Sequence, residues 1–135
     1  MNIIFAKHKE ILDHNEVDLD QLREQYSLVP LDKIRIGKSK EVLQSWCLIP
    51  ADNVKVLDDA PHLPRLIALH ETMMQNYYEQ QWDYCIESAE KLLGKFGGEV
   101  DSFYEIFIER CQQNKTHGVK DNWDGVITRV SSVTD

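Results

Sequence analysis

Residues 77–98 read YYEQQWDYCIESAEKLLGKFGG. Trp82, Cys85, Ile86, Ala89, Leu92, Leu93 and Phe96 recur there at the three-and-four spacing that gathers side chains on one face of a helix. A stripe this apolar is unstable in water, so any fold of the chain has to set a second apolar surface against it. Gly97-Gly98 closes the pattern, and glycine supplies the left-handed backbone on which helices stop.

The flanking segments offer such surfaces. After Pro64, RLIALHETMMQNYYEQQ places Leu66, Leu69, Met73 and Tyr77 on one stripe, with Ile67, Met74 and Tyr78 beside it. Downstream, Ser102 and Glu105 have the spacing of a capping box, and Phe103, Phe107 and Cys111 continue one face. Three helices whose stripes meet form an antiparallel bundle or hairpin over about residues 65–113. Its core anchors are Trp82, Ile86, Ala89, Leu92, Leu93, Phe96, Phe103 and Phe107.

The first half reads differently. NIIFA has strand composition, yet Ile4, His8, Ile11 and Leu12 fit a helix face, and a helix is expected within residues 1–16. A second short helix follows, with Asp18 as cap, Gln21 three residues on, and Leu19, Leu22 and Tyr26 on one face, until Pro30 ends it. LDKIRIG and EVLQSWCLI alternate in polarity around KSK, which predicts a β-hairpin over about residues 32–49. A hairpin alone is marginal in water, so it has to lie on the helices or on another strand. Pro50, Pro61 and Pro64 mark a connector. The expected class is α+β, mostly helical, in one domain made of an N-terminal portion (1–64), a helical portion (65–113) and a tail (114–135). Residues 112–122 are polar, but Trp123 and VITRV at 126–130 are too apolar for a solvated tail and are expected to dock.

Charge narrows the function classes. Fifteen Lys and Arg against 23 Asp and Glu give a net charge of −8, with a pI near 5.1, which opposes mechanisms that neutralise many phosphates. Nucleic acid is therefore disfavoured as a partner, an anionic membrane surface would repel the chain, and a basic protein partner suits it. No apolar run approaches the roughly 20 residues needed to span a bilayer, and Lys7 and Lys9 interrupt the N-terminal apolar stretch, so a cytoplasmic protein is expected. Cys47, Cys85 and Cys111 lack metal or disulfide spacing and read as reduced thiols.

The helix pair around Tyr77-Tyr78, Trp82, Cys85-Ile86, Ala89 and Leu92 resembles a tetratricopeptide repeat, present as one degenerate copy without the usual turn glycine. Taken in order, YYEQQWDYCIESAEKLL, FYEIFIERC and DNWDGV are similar to the helical segment that follows the catalytic domain in bacterial adenylate cyclases. The likeness covers roughly residues 66–126, and nothing in residues 1–64 resembles the cyclase domain. It implies a helical module used for contact with other protein surfaces, and a detached module of this size suits a bacterial or phage accessory protein.

No motif of catalysis, cofactor binding or metal ligation emerges. His70-Glu71 is followed by Met74 where a second ligand would stand, which excludes H-E-x-x-H. DNWDG lacks the first and twelfth carboxylates of a calcium loop. The leading expectation is a noncatalytic protein–protein interaction or regulatory module, with Tyr77, Tyr78 and Trp123 as partner-binding residues, and homodimerisation as one way to cover the helical face. Trp123 is also placed to fold back on the helices as a clasp. The alternatives are a small enzyme or ligand sensor with a pocket at His62 and His70 beside Asp58 or Asp59, and nucleic-acid binding through Lys33, Arg35, Lys38 and Lys40.

Overall fold

The computed structural model describes residues 2–6, 19–37, 41–50 and 59–129. In chain order these form β1 (Asn2–Ala6), α1 (Leu19–Leu22), β2 (Tyr26–Ile36), β3 (Leu43–Pro50), α2 (Leu63–Tyr78), α3 (Trp82–Leu92), α4 (Asp101–His117) and β4 (Ile127–Arg129). The class is α+β with helix predominating.

The strands lie in the order β1-β3-β2-β4. The expected hairpin is its centre, with β2 and β3 antiparallel and Val29 opposite Cys47. β1 runs antiparallel to the outer side of β3, from Asn2 opposite Leu48 to Ala6 opposite Gln44. β4 joins β2 from the other side in parallel, Ile34 to Ile36 facing Ile127 to Arg129. The helix expected near the N-terminus is thus a strand at residues 2–6: the β-branched and aromatic run satisfies its backbone on β3, and strand composition outweighs a helical spacing only partly filled. The remainder of that expectation, including His8, Ile11 and Leu12, falls outside the described residues.

Two further expectations are corrected in β2. The second short helix is a single turn, and Tyr26, assigned to its face, starts the strand instead. Pro30 ends no helix; it lies inside β2, where the register shifts before Lys33. A proline has no N–H to give a ladder, so strands carry it at such irregularities.

The helical half follows the apolar stripes closely. α2 starts at Leu63 with Pro64 in its first turn, where a missing N–H costs nothing. α3 ends sooner than expected: Leu93 leaves helical geometry, Gly94 takes the left-handed turn at φ +82°, and Phe96–Gly98 form a separate 3-10 turn. Phe96 consequently reaches the core from a turn and not from a helix. α4 has Val100 at its N-cap without a side-chain cap, so Ser102 is not the cap. The Asp101 carboxylate instead accepts a 2.8 Å hydrogen bond from the Gly94 N–H, fastening the start of α4 to the end of α3. α4 also continues to His117, through residues expected to lie in the polar segment.

One apolar cluster joins the layers. Val29, Leu31, Cys47 and Ile49 of the sheet pack with Met73, Tyr77, Leu92, Phe96, Phe103 and Phe107 of the helical half, all of them buried. Each large side chain so buried contributes about 1.5–3 kcal/mol relative to exposure. The helical stripe is therefore largely covered within the chain, with Trp82, Ile86 and Leu93 left partly buried.

Candidate interaction groove

The two histidines of the expected pocket part company. His62 is exposed at the N-cap of α2, and His70 is buried two turns further along, about 12 Å by the helical rise. Asp59 serves the 3-10 turn, accepting weakly from the Gly97 N–H at 3.5 Å, and Asp58 falls outside the described residues. His70 is instead a bolt between layers. Its Nε2 meets the Pro30 carbonyl, which only accepts, so Nε2 carries the proton and donates. Nδ1 then accepts from the Tyr104 hydroxyl at 2.8 Å. Burial lowers its pKa to about 4 despite the carbonyl, and burial raises that of Tyr104. A sealed imidazole with both nitrogens occupied has no room for a ligand.

A second polar link crosses from sheet to helix. Arg110 on α4 clamps Asp32 of β2 through two parallel hydrogen bonds of 2.7 and 3.0 Å and lies over the Tyr77 ring. The Asp32 carbonyl accepts from the Ser45 hydroxyl at 2.7 Å, so the clamp holds the irregular stretch of β2 and its neighbour β3 together. The sequence carried a signal of it: Arg110 stands beside Cys111 and three residues after Phe107, a charge on the margin of a buried stripe.

The proposed partner-binding aromatics are found in an internal cluster. Tyr77 is only 1% exposed, and its ring contacts those of Tyr78, Trp82, Phe107 and Trp123 at centroid distances of 5.1–5.6 Å. Trp123 also packs edge-on against Trp82, so in this structure it forms the clasp. Trp82 is half-buried and not a fully enclosed anchor; Ile86 and Leu93 are likewise half-buried, while Ala89, Leu92, Phe96, Phe103 and Phe107 are enclosed. The tail that brings Trp123 is secured by Asp124, whose carboxylate accepts from the Val126 N–H at 2.9 Å and lies 3.5 Å from Arg35. The Val126 bond and then Arg35 hold that carboxyl below its usual pKa. Gly125 is pressed against Tyr78 so closely that a Cβ would come within 2.5 Å of the ring.

These contacts also occupy the basic cluster. Lys33 lies over the Tyr78 ring and Arg35 faces Asp124, leaving neither as part of a free cationic stripe. Lys38 and Lys40 fall outside the described residues. The three thiols are buried, and the Cys111 thiol is held protonated by its hydrogen bond with Cys85 and by burial.

Among the described residues, an open groove of about 610 Å³ lies between α3 and α4, lined by Asp83, Ile86, Glu87, Gln112, Lys115 and Thr116. The helices run antiparallel along it, since Lys115 meets Asp83 at 2.6 Å near one end and Asp101 meets Gly94 at the other. Ile86 gives an apolar floor. Asp83, Glu87 and Glu90 stand at the same three-and-four spacing on the solvent side of α3, all exposed, and Glu105 is exposed on α4. The periodicity of α3 points to its buried stripe of Cys85, Ala89 and Leu92, and the acidic stripe lies on the opposite side of the same helix.

No family model matches the chain, and no curated protein or solved structure was found to match it. Among the described residues no helix is long and apolar enough to cross a membrane.

Proposed function

We propose that this chain is a noncatalytic protein–protein interaction module that receives a basic segment of a partner protein in the groove between α3 and α4. The observation that carries the reading is the groove itself: an apolar floor at Ile86 beside the carboxylates of Asp83 and Glu87, with Lys115, paired to Asp83, as the cation among its lining residues, and Glu90 exposed about one turn further along α3. A segment with one apolar anchor flanked by Lys or Arg would bury the anchor on Ile86 and meet the carboxylates at the rim, where charge steers encounter and sets partner choice. Three successive helices packed together favour the tetratricopeptide-like interpretation of this half of the chain. The sealed environment of His70 removes the motive for an enzyme or sensor at that residue.

The test is capture from the source cell with the full chain as bait, beside a Glu87→Lys/Glu90→Lys variant. Both positions are exposed, so the fold survives, as circular dichroism will check. A partner held by the parent chain, released by raised salt and absent from the variant is the expected result. Equal capture by both chains would overturn the reading.

A further inference from the structure

We propose that Cys85 and Cys111 are a redox pair, which a peroxide converts to a disulfide that staples α3 to α4. The pair does not depend on the groove or its partner.

Two ties between these helices fix which residues face each other. Lys115 meets Asp83 near one end and Asp101 meets Gly94 at the other, so α3 and α4 run antiparallel in a fixed register. Cys85 and Cys111 both lie just inside the first tie, and a rise of about 1.5 Å per residue brings them to within about 3 Å of the same level. Both are fully buried, so both side chains point into the packed interior. Ser88 and Ala89, which share the buried side of α3 with Cys85, are small and allow close approach. Packed helices have axes about 8–10 Å apart and Cα atoms about 2.3 Å from each axis. Facing Cα atoms are then about 3.5–5.5 Å apart, which overlaps the roughly 4.4–6.8 Å that a disulfide spans.

The two thiols are already joined by a hydrogen bond. Cys111 donates to the Cys85 sulfur, and the Cys85 thiol donates to the Met73 carbonyl at 3.5 Å. The bond from Cys111 lowers the Cys85 pKa against the opposing effect of burial, while the same bond and burial keep Cys111 protonated. Cys85 is accordingly the attacking sulfur and Cys111 the resolving one. Cys47 lies apart on β3, and burial pushes its thiol up to about 11, which makes it the inert member of the three.

The Cys85 thiolate attacks one peroxide oxygen, the O–O bond breaks, and the leaving oxygen departs as water, giving a sulfenic acid on Cys85. The Cys111 sulfur then attacks the Cys85 sulfur; the S–S bond forms, the S–O bond breaks, and the oxygen leaves with the Cys111 proton as a second water. The pair loses two electrons and the peroxide gains them. A thiol reductant reverses the change by exchange. Both sulfurs are enclosed, so oxidation of the folded chain waits on a local opening of α3 from α4 and is slow.

Thiol mapping of the full chain tests the pair. After exposure to hydrogen peroxide, unfolding, alkylation and digestion, a Cys85–Cys111 cross-linked peptide and an alkylated Cys47 are expected, with the cross-link lost on adding dithiothreitol. Refolding the reduced chain in a glutathione redox buffer removes access as a variable, and the same bridge is expected to dominate there. The bond closes a loop of about 25 residues, so the oxidised chain should have an unfolding constant lower by on the order of a hundredfold, read as a raised urea midpoint. Cys111→Ser should show no oxidant-dependent rise. A refolded chain that keeps all three thiols free, or that bridges Cys47 with either of the others, would overturn the proposal. A Cys85–Cys111 bridge that leaves the urea midpoint unchanged would equally overturn its role as a staple.

Discussion

His70 on α2 and Tyr104 on α4 are joined by a 2.8 Å hydrogen bond in which the phenol donates to Nδ1, while Nε2–H reaches the Pro30 carbonyl of β2. One neutral imidazole thereby ties two helices to the sheet. Its folded pKa of about 4 lies below the ordinary value of 6.5, so between these limits the unfolded chain binds the proton and the folded chain does not. The stabilisation is complete above pH 6.5 and is lost as pH falls towards 4, to a total of roughly 3 kcal/mol. Urea unfolding from pH 7 to 4 should show this loss in the parent chain. A His70→Gln variant, which cannot titrate there, should have a lower but flatter profile; parallel profiles would refute the assignment.

The Asp32–Arg110 clamp predicts an asymmetry. Removing one partner, as in Asp32→Asn or Arg110→Met, strands a largely buried charge and should cost on the order of 2–4 kcal/mol. Removing both should cost less than the sum of the single changes, because neither charge is left alone. Denaturant midpoints of the two single variants and the double variant measure the coupling.

Gly125 is expected to be intolerant of any side chain. Its φ of +77° already disfavours L residues, and a Cβ would strike the Tyr78 ring. Gly125→Val should release the tail while leaving α2–α4 folded. Trp123 would then lose its contacts with Tyr77 and Trp82, read as a red-shifted tryptophan emission and faster hydrogen exchange at residues 127–129. An unchanged emission spectrum would show that the clasp does not depend on this approach.

Truncations at two aromatic positions should rank by burial. Phe107 is fully enclosed, and Phe107→Ala is expected to cost about 3–5 kcal/mol. Trp82, half-buried, has more ring atoms but leaves part of them in water, so Trp82→Ala should cost less despite the larger deletion. Unfolding free energies in the opposite order would mean that Trp82 is enclosed in the solution state.

The helical half was legible because its information is local and redundant. Met73, Tyr77, Cys85, Ala89, Leu92, Phe103, Phe107 and Cys111 repeat one period, and Pro64 and Gly94 punctuate it, although the later pair Gly97-Gly98 drew the expected end of α3 too far along. The sheet was half legible. The hairpin is adjacent in sequence, but the five residues of β1 take their structure from β3 some forty residues away, and β4 takes its own from β2 about ninety residues away. Pro30 misled for a related reason: it reads as a stop, and only the His70 side chain explains where its carbonyl goes. The acidic groove was hidden because a charged helix side is ordinarily a solvated one, and nothing in α3 alone shows that α4 stands beside it.

The sheet is knitted from both termini of the described chain, with β1 on one flank and β4 on the other. During synthesis the ribosome must therefore release residue 129 before the last strand can seat, by which time the helical half has had the chance to assemble. Trp123 stands just ahead of that strand, so a chain cut off near residue 118 would lack both, leaving the rings of Tyr77 and Trp82 and the outer side of β2 without the cover that the tail gives them.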